Sequence, residues 1–404
     1  MGQLVSDSSE HGAESVDVPL LDLRPQYESL RTEIDSALAR VVESQHFVLG
    51  PEVEAFEREI AEYCGAPEAV GVGSGSDALL LGLMALGIQP GDQVLCPTYT
   101  FFATAGSVVR MGAEPVFVDC EPDTYNVSLE SIERAAAGCQ RLRAIVPVHL
   151  YGQMADVAGL EGLAQQLGVP LLEDAAQAIG ARDSQGRPAG AAGSLATFSF
   201  FPTKNLGGFG EGGLVTCHDP DVAETLRTLR VHGGKPKYHH AFVGVNARLD
   251  AIQAAVLRAK LPHLESWHER RAANAETYDR LFSSAGALPS TASLGEGGFP
   301  LRYPVRPPAP ARHIYNQYVV RVPASLRDRL RSHLAERRIG SEIYYPVPLH
   351  LQACFKEVGS PQGSLPVAEA AALETLALPI FPDLSAEQLE AVAGTIIDFL
   401  ADSG

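Results

Sequence analysis

"AVGVGSGSDALLLGLMALG", residues 69–87, runs from a short apolar stretch through a Gly/Ser turn into an apolar helical pattern. That strand–turn–helix unit decides the fold, because the sequence repeats it. "QVLCP" (93–97), "PVFVD" (115–119), "AIVPVHL" (144–150) and "PLLED" (170–174) read as further strands. Each is bounded by turn residues and followed by a helical pattern such as "MADVAGLEGLAQQLG" (154–168). Strands separated by crossover helices specify a parallel sheet covered on both faces. The fold class is therefore α/β, with a central, mostly parallel sheet. "LATFSFF" (195–201) and "GGLVTC" (212–217) have no helix between them and read as a hairpin-like insertion in that sheet.

The character changes after residue 249. Residues 250–284 read as a long helical connector bent at Pro262, where the missing N–H interrupts a helix. After the Gly/Pro-rich "GEGGFPLRYPVRPPAPARH" (295–313), "YNQYVVRV" (315–322) reads as a strand and "SLRDRLRSHLAERRIG" (325–340) as a helix closed by Gly340. "SEIYYPV" (341–347) reads as another strand, and two helices finish the chain. The expected layout is a polar tail at 1–17, a helical arm with a large α/β domain at 18–261, and a smaller α+β domain at 262–404. The arm contains "RPQYESLRTEIDSALARVVES" (24–44).

Bulk properties exclude several classes. The net charge is −18 over 404 residues, which argues against a broad nucleic-acid footprint. The six cysteines are scattered, without a CxxC pair or clustered histidines, so reduced thiols fit better than disulfides or a metal site. No basic-then-apolar leader opens the chain, and no apolar run is long enough to span a bilayer. The expectation is a cytoplasmic protein without membrane or nucleic-acid partners.

Open α/β sheets bind ligands beyond the carboxyl ends of their strands. Three groups of residues fall there. The turn Ser74–Gly75–Ser76 enters a helix, whose N-terminus offers unpaired N–H groups and a positive dipole end to a phosphate. Ordinary helix capping is the alternative. A dinucleotide fingerprint fails, since position 76 is Ser where the third glycine belongs. In "LLEDAAQAIGA" (171–181), Asp174 ends an apolar strand and Gln177 follows three residues later. In "FSFFPTKNLGGFGEGG" (198–213), Ser199 and Lys204 sit between an aromatic run and five glycines. The Walker pattern is excluded, because here the glycines follow the lysine.

A desolvated lysine becomes a nucleophile toward carbonyls. A phosphate cradle, a strand-end carboxylate, a second serine and such a lysine together meet the needs of pyridoxal phosphate. Lys204 would form the Schiff base and shuttle the proton, and Asp174 would keep the ring nitrogen protonated.

These motifs also carry a resemblance. "GSGSDALLLGL", "CPTYTFFATA", "EDAAQAIGA", "SFFPTKNLGGFGEGG" and "GVNARLDAIQAAVLRAKL", in that order, resemble the DegT/DnrJ/EryC1/StrS sugar aminotransferases, which have the fold-type I, aspartate-aminotransferase-like architecture. The likeness runs from "VPLLDLRPQY" (18–27) to the C-terminus. It implies phosphate binding by Gly75, Ser76 and Ser199 with the adjoining Ser74, a ring hydroxyl bonded by Gln177, and Phe101 stacked on the ring. It further implies that Asn246 reaches the neighbouring subunit's phosphate, in a homodimer with shared active sites. Relatives with His at the lysine position are dehydratases, and Lys204 argues against that.

Members usually move an amino group from L-glutamate to a nucleotide-linked keto sugar. "VHGGKPKYHHAFVGVNARLDAIQ" (231–253), "HIYNQYVVRV" (313–322) and "SEIYYPVPLHLQACF" (341–355) resemble the subgroup acting at C-3. The expected acceptors are a UDP-2-acetamido-3-keto sugar or a dTDP-3-keto-6-deoxyhexose. Lys235, Lys237, Tyr238, His239 and His240 form a cationic and aromatic cluster suited to a diphosphate, while Tyr345 and His350 could contact sugar hydroxyls. A C-4 enzyme of the same family and a non-catalytic regulatory or scaffold protein are the alternatives.

Overall fold

The computed structural model describes residues 17–236, 238–296 and 298–403. Its large sheet contains β1 (Glu68–Val72), β2 (Gln93–Pro97), β3 (Glu114–Val118), β4 (Leu142–Ile145), β5 (Leu172–Asp174), β6 (Leu195–Ser199) and β7 (Gly213–Cys217). The bridges Ile145↔Leu171 and Val148↔Asp174 join the β3-β2-β4 and β5-β6-β7-β1 groups into one order, 3-2-4-5-6-7-1. Every pairing is parallel except those of β7, which runs antiparallel to both β6 and β1. The helix-free connection between β6 and β7 is the reason, since a short loop can only reverse the chain.

The arm helix α1 (Arg24–Ser44) precedes α2 (Pro51–Cys64), and the crossovers supply α3 (Gly75–Ala85), α4 (Ala103–Arg110), α5 (Leu129–Ala136), α6 (Val157–Leu167) and α7 (Pro220–Leu229). Then come α8 (Ala251–Lys260), a short turn at Leu261–His263, and α9 (Leu264–Ser284), so the connector bends at Pro262 as expected. Alternation along the strands sends neighbouring residues to opposite faces. Ala69, Ala196, Phe198 and Leu214 pack with α1, α2 and α8; Val70, Val72, Leu195 and Val215 pack with α3, α4 and α7. Glu57 on α2 accepts the Gly71 N–H (2.8 Å), and its partner Arg230 donates to Gly71 O (2.6 Å). This buried pair fixes the end of β1 just before the Gly/Ser turn.

The second sheet, ordered β11-β10-β9-β8, comprises β8 (Leu288–Pro289), β9 (Arg302–Tyr303), β10 (Tyr318–Arg321) and β11 (Thr375–Leu378). It packs with α9, α10 (Ala324–Glu336) and α12 (Ala386–Ala401) around Tyr278, Phe282, Tyr318, Leu330, Val392 and Ile396; α11 (Pro366–Glu374) leads into β11. Val18, expected with the large domain, is buried in this second core and bridges Ile339.

Three local expectations need correction. "SEIYYPV" is not a strand: only Glu342 bridges Ala377, and the chain then turns away toward the first sheet. The helix expected to reach Gly340 stops at Glu336, because Arg338 adopts a left-handed φ of 59° and Ile339 N–H bonds back to Leu334 O. A strand, β11, separates the last two helices. Among the described residues, no helix is long and apolar enough to cross a membrane. All six cysteines are unbonded.

Candidate active site

Strand register brings the sequence motifs to one edge. Asp174 ends β5 opposite Thr197, and Ser199 ends β6 opposite Gly213. Gly213 in turn faces Val72, where β1 gives way to the Ser74 turn. The junction depends on two glycines. A Cβ on Gly75 would lie 2.7 Å from Ser199 Cβ, and one on Gly213 would lie 2.2 Å from Ser74 O. Any side chain at either position closes the gap between the α3 N-terminus and β6.

Ser74 caps α3. Its hydroxyl accepts the Asp77 N–H (3.1 Å) and lies 3.0 Å from Asp77 Oδ2, so that oxygen is spent on the helix, a cap contributing about 1 kcal/mol. The Ser74 hydroxyl is thus engaged at the start of the helix. The Gly75 and Ser76 N–H groups, in the first turn, have no partner among the described residues. With the Ser76 and Ser199 hydroxyls beside them, they make the anion-accepting end of the site.

Lys204 lies on the loop between β6 and β7. Phe200 and Leu206, both fully buried, anchor that loop, and the Lys204 N–H bonds Phe201 O at 2.9 Å. Asn205 Nδ2 reaches Ile314 O (3.1 Å), and Phe209 N–H reaches Gln253 Oε1 (2.7 Å). Desolvation pushes the Lys204 amine down to about 8, against the opposing pull of the Asp174 charge. About a tenth is then uncharged at pH 7, far more than for an ordinary lysine, and the neutral amine is the nucleophile.

Burial raises the Asp174 carboxyl, and four features oppose it: the Thr104 Oγ1 hydrogen bond to Oδ2 (2.8 Å), the Ala176 N–H to Oδ1 (3.2 Å), the Lys204 charge and the His149 charge. Thr104 is a functional residue that sequence reasoning missed, although "CPTYTFFATA" contains it. On the opposite face of β5, the fully buried Glu173 pairs with His149 Nε2 (2.7 Å). Gln177 is fixed at both ends of its amide: Oε1 accepts the Tyr151 N–H (2.7 Å) and Nε2 meets Tyr345 Oη (3.2 Å). One amide hydrogen of Nε2 is left for a further acceptor. Tyr345, at 6.3 Å between ring centroids, flanks Phe101, whose side is open at 58% exposure.

Other expected residues lie elsewhere. His350 is buried, its Nδ1 2.7 Å from Thr98 Oγ1 and its Nε2 3.2 Å from Glu369. Both ring nitrogens are committed to holding the loop, so a sugar hydroxyl has no imidazole atom to meet there. Lys235 pairs with Glu224 on the surface, and Tyr238 and His239 are exposed on the same segment. Lys237, from the same cluster, lies outside the described residues. Asn246 is exposed and pairs through its backbone with Val231, while the next residue, Ala247, accepts the Gly73 N–H (3.1 Å).

The model of the DegT/DnrJ/EryC1/StrS aminotransferase family matches residues 28–397. The chain belongs to this family. A "pleiotropic regulatory protein" of Geobacillus stearothermophilus is 46% identical over 95% of this chain and 99% of its own. The dTDP-3-amino-3,4,6-trideoxy-alpha-D-glucose transaminase of Streptomyces venezuelae is also 46% identical, over 93% of this chain and 94% of its own. The solved structure of S. venezuelae DesV superposes with a TM-score of 0.88 at 44% identity, covering 95% of this chain and 98% of that one. The fold is accordingly fold-type I. Pyridoxal phosphate is the family's cofactor, and the residues here fit it. The Lys204 amine with its lowered pKa, the Asp174 carboxylate with its two donors, and the unused N–H groups of α3 supply its three requirements.

Proposed function

We propose that the chain is a transaminase that moves an amino group from L-glutamate to C-3 of a nucleotide-linked keto sugar, either a dTDP-3-keto-6-deoxyhexose or a UDP-2-acetamido-3-keto sugar. The observation that carries this reading is the Lys204 amine, depressed to about 8, at the same sheet edge as the hydrogen-bonded Asp174 carboxylate. When bound, the cofactor supplies a carbonyl for amines and a ring that accepts electrons as a Cα–H bond breaks. Lys204 would hold it covalently at rest and would carry the proton once released. Asp174, oriented by Thr104 and Ala176, would pair with the ring nitrogen. Gln177, locked by Tyr151 and Tyr345, would donate to the ring hydroxyl. Gly75, Ser76 and Ser199 would hold the phosphate, and Phe101 would stack on the ring.

The same reading makes the protein a homodimer with shared sites, acting in the cytoplasm. The segment 232–246 supports the dimer, since it presents Phe242 and Val243 at 51% and 92% exposure next to Asn246. Six unbonded thiols suit a reducing compartment. In this reading Lys235, Tyr238, His239 and Tyr345 would contact the acceptor. The Streptomyces relative, a dTDP-3-amino-3,4,6-trideoxy-alpha-D-glucose transaminase, supports C-3 over C-4. The intact set Asp174, Ser199 and Lys204 favours catalysis over a purely regulatory role.

The test is a two-step absorbance titration of the cofactor-loaded protein. L-glutamate should bleach the visible band, and one 3-keto sugar nucleotide from a panel of 3-keto and 4-keto compounds should restore it. Restoration by 4-keto sugars alone, or no response to any amino acid, overturns the reading.

A further inference from the structure

Lys204 and Gln177 come from different loops, one between β6 and β7, the other just beyond β5. One cofactor must meet both, so the two loops have to be held in a fixed relation. Helix α8 holds the far end of the Lys204 loop, where Lys260 Nζ meets Gly207 O (2.7 Å) and Gln253 Oε1 accepts the Phe209 N–H (2.7 Å). Nearer the lysine the tie is different. Among the described residues, no side chain of 200–206 other than Asn205 hydrogen-bonds a different segment.

Asn205 Nδ2 donates to Ile314 O at 3.1 Å, on the segment that leads into β10. From there a run of hydrogen bonds reaches Gln177. Ile314 N–H donates to Gly152 O (3.0 Å), Gln317 N–H to Tyr151 O (3.3 Å), and Tyr151 N–H to Gln177 Oε1 (2.7 Å). The run has little slack. Gly152 has a φ of 97°, and a Cβ there would lie 2.9 Å from both Asn316 N and Ile314 Cγ1 and 3.2 Å from Gln177 O. Tyr151 takes a left-handed φ of 60°, which a bulky side chain keeps only where its surroundings hold it. They do so here: Tyr151 is buried, and its hydroxyl bonds Tyr344 O and lies 3.3 Å from Tyr99 Oη.

Asn205 is 4% exposed, and its buried Oδ1 has no partner among the described residues. An unmatched buried acceptor destabilises a fold, so packing alone favours a side chain of the same size without one. What asparagine adds is the donor to Ile314 O. We propose that Asn205 is a positioning residue for the transfer: through Ile314 it ties the Lys204 loop to the Tyr151–Gly152 turn that fixes Gln177, and so sets the lysine against the donor to the ring hydroxyl. It acts through these neighbours. The inference rests on the transaminase reading above.

Two measurements test it, and the first needs no cofactor. In cofactor-free protein, hydrogen exchange is read on peptides covering 149–153, 312–317 and α12. Asn205→Leu keeps the size and removes the donor. It should speed exchange in the first two peptides about tenfold, as the loss of one hydrogen bond does, and leave α12 as in wild type. In cofactor-loaded protein, the limiting rate of bleaching by L-glutamate should fall about 10- to 100-fold, the effect of misplaced reacting groups, with half-saturating glutamate changed less than about threefold. Asn205→Ser, too short to reach Ile314 O, should give the same pattern and serves if Asn205→Leu fails to fold. Wild-type exchange in both peptides, or faster exchange shared equally by α12, overturns the tie. A wild-type limiting rate despite faster exchange overturns the positioning role. If the wild-type protein shows no response to L-glutamate, the transaminase reading fails, and exchange still decides the tie: acceleration confined to the two peptides supports it, and none overturns it.

Discussion

Thr104→Val tests how the ring-nitrogen partner is kept ionised. Thr104 is 1% exposed, and its Oγ1 donates to Asp174 Oδ2 at 2.8 Å; the only other donor to that carboxylate among the described residues is the Ala176 N–H at 3.2 Å. Valine keeps the shape and removes the hydroxyl. A hydrogen bond to a charged group contributes about 1.5–3 kcal/mol, equivalent to roughly 10- to 150-fold in the carboxylate's protonation equilibrium. Burial already raises Asp174, so losing the donor moves it further in the same direction. The sign follows: protonated Asp174 persists to higher pH, and the acid limb of the glutamate half-reaction moves up. Single-turnover bleaching rates between pH 5 and 9, about the range in which such limbs fall, give the readout for both proteins. Superimposable acid limbs with equal plateau rates would refute the reasoning, because Asp174 would then be held charged by something other than Thr104.

Gly75→Ala places a Cβ 2.7 Å from Ser199 Cβ and closes the anion-accepting end, so cofactor affinity by equilibrium dialysis should fall at least tenfold; unchanged affinity contradicts the cradle. Asp174→Asn removes the charge that holds the Lys204 amine up, so that amine should titrate below its value of about 8. The pH dependence of acetic anhydride labelling at Lys204 in cofactor-free protein measures it, and a higher value means Asp174 does not face the amine. His268 is buried without a close hydrogen bond, its Nδ1 lying 3.9 Å from Glu265 Oε1, and burial pushes it down to about 4 from the ordinary 6.5 despite that carboxylate. As pH falls from 6.5 to 4 the unfolded chain binds the proton first, so stability drops, by at most about 3 kcal/mol. Urea titrations across that window should show a shallower loss in His268→Leu than in wild type, and parallel losses would exclude His268 as the cause.

The sheet was legible because its strands are continuous apolar runs with turn residues between them, and the antiparallel β7 followed from a connection lacking a helix. Asp174 and Ser199 could be placed at one edge from the sequence because each ends a strand, and Gly75 and Lys204 because each follows closely after one. Thr104 could not. It sits on α4, seventy residues before Asp174, and only the packing of α4 over the edge of β5 brings the two together. Tyr151 is hidden for the same reason, since it fixes Gln177 through a backbone N–H that any residue could supply. His350 was expected to meet sugar hydroxyls, yet long-range packing supplies Thr98 and Glu369 as its partners. The two-residue strands β8 and β9 lie within and beside a Gly/Pro-rich stretch and are too short to show alternation. Val18 pairs with Ile339 across most of the chain, a contact no local pattern announces.

The central claim is that Lys204 holds the cofactor, and it has a specific rival. Lys260 is buried and likewise lowered to about 8, with Nζ bonded to Gly207 O at 2.7 Å and lying 5.0 Å from the Phe209 ring centroid. Borohydride reduction of the cofactor-loaded protein, followed by peptide mass spectrometry, separates the two. A reduced adduct on the peptide carrying Lys204, and none on Lys260, is the outcome expected. An adduct on Lys260, or none on any lysine after loading, would contradict the account.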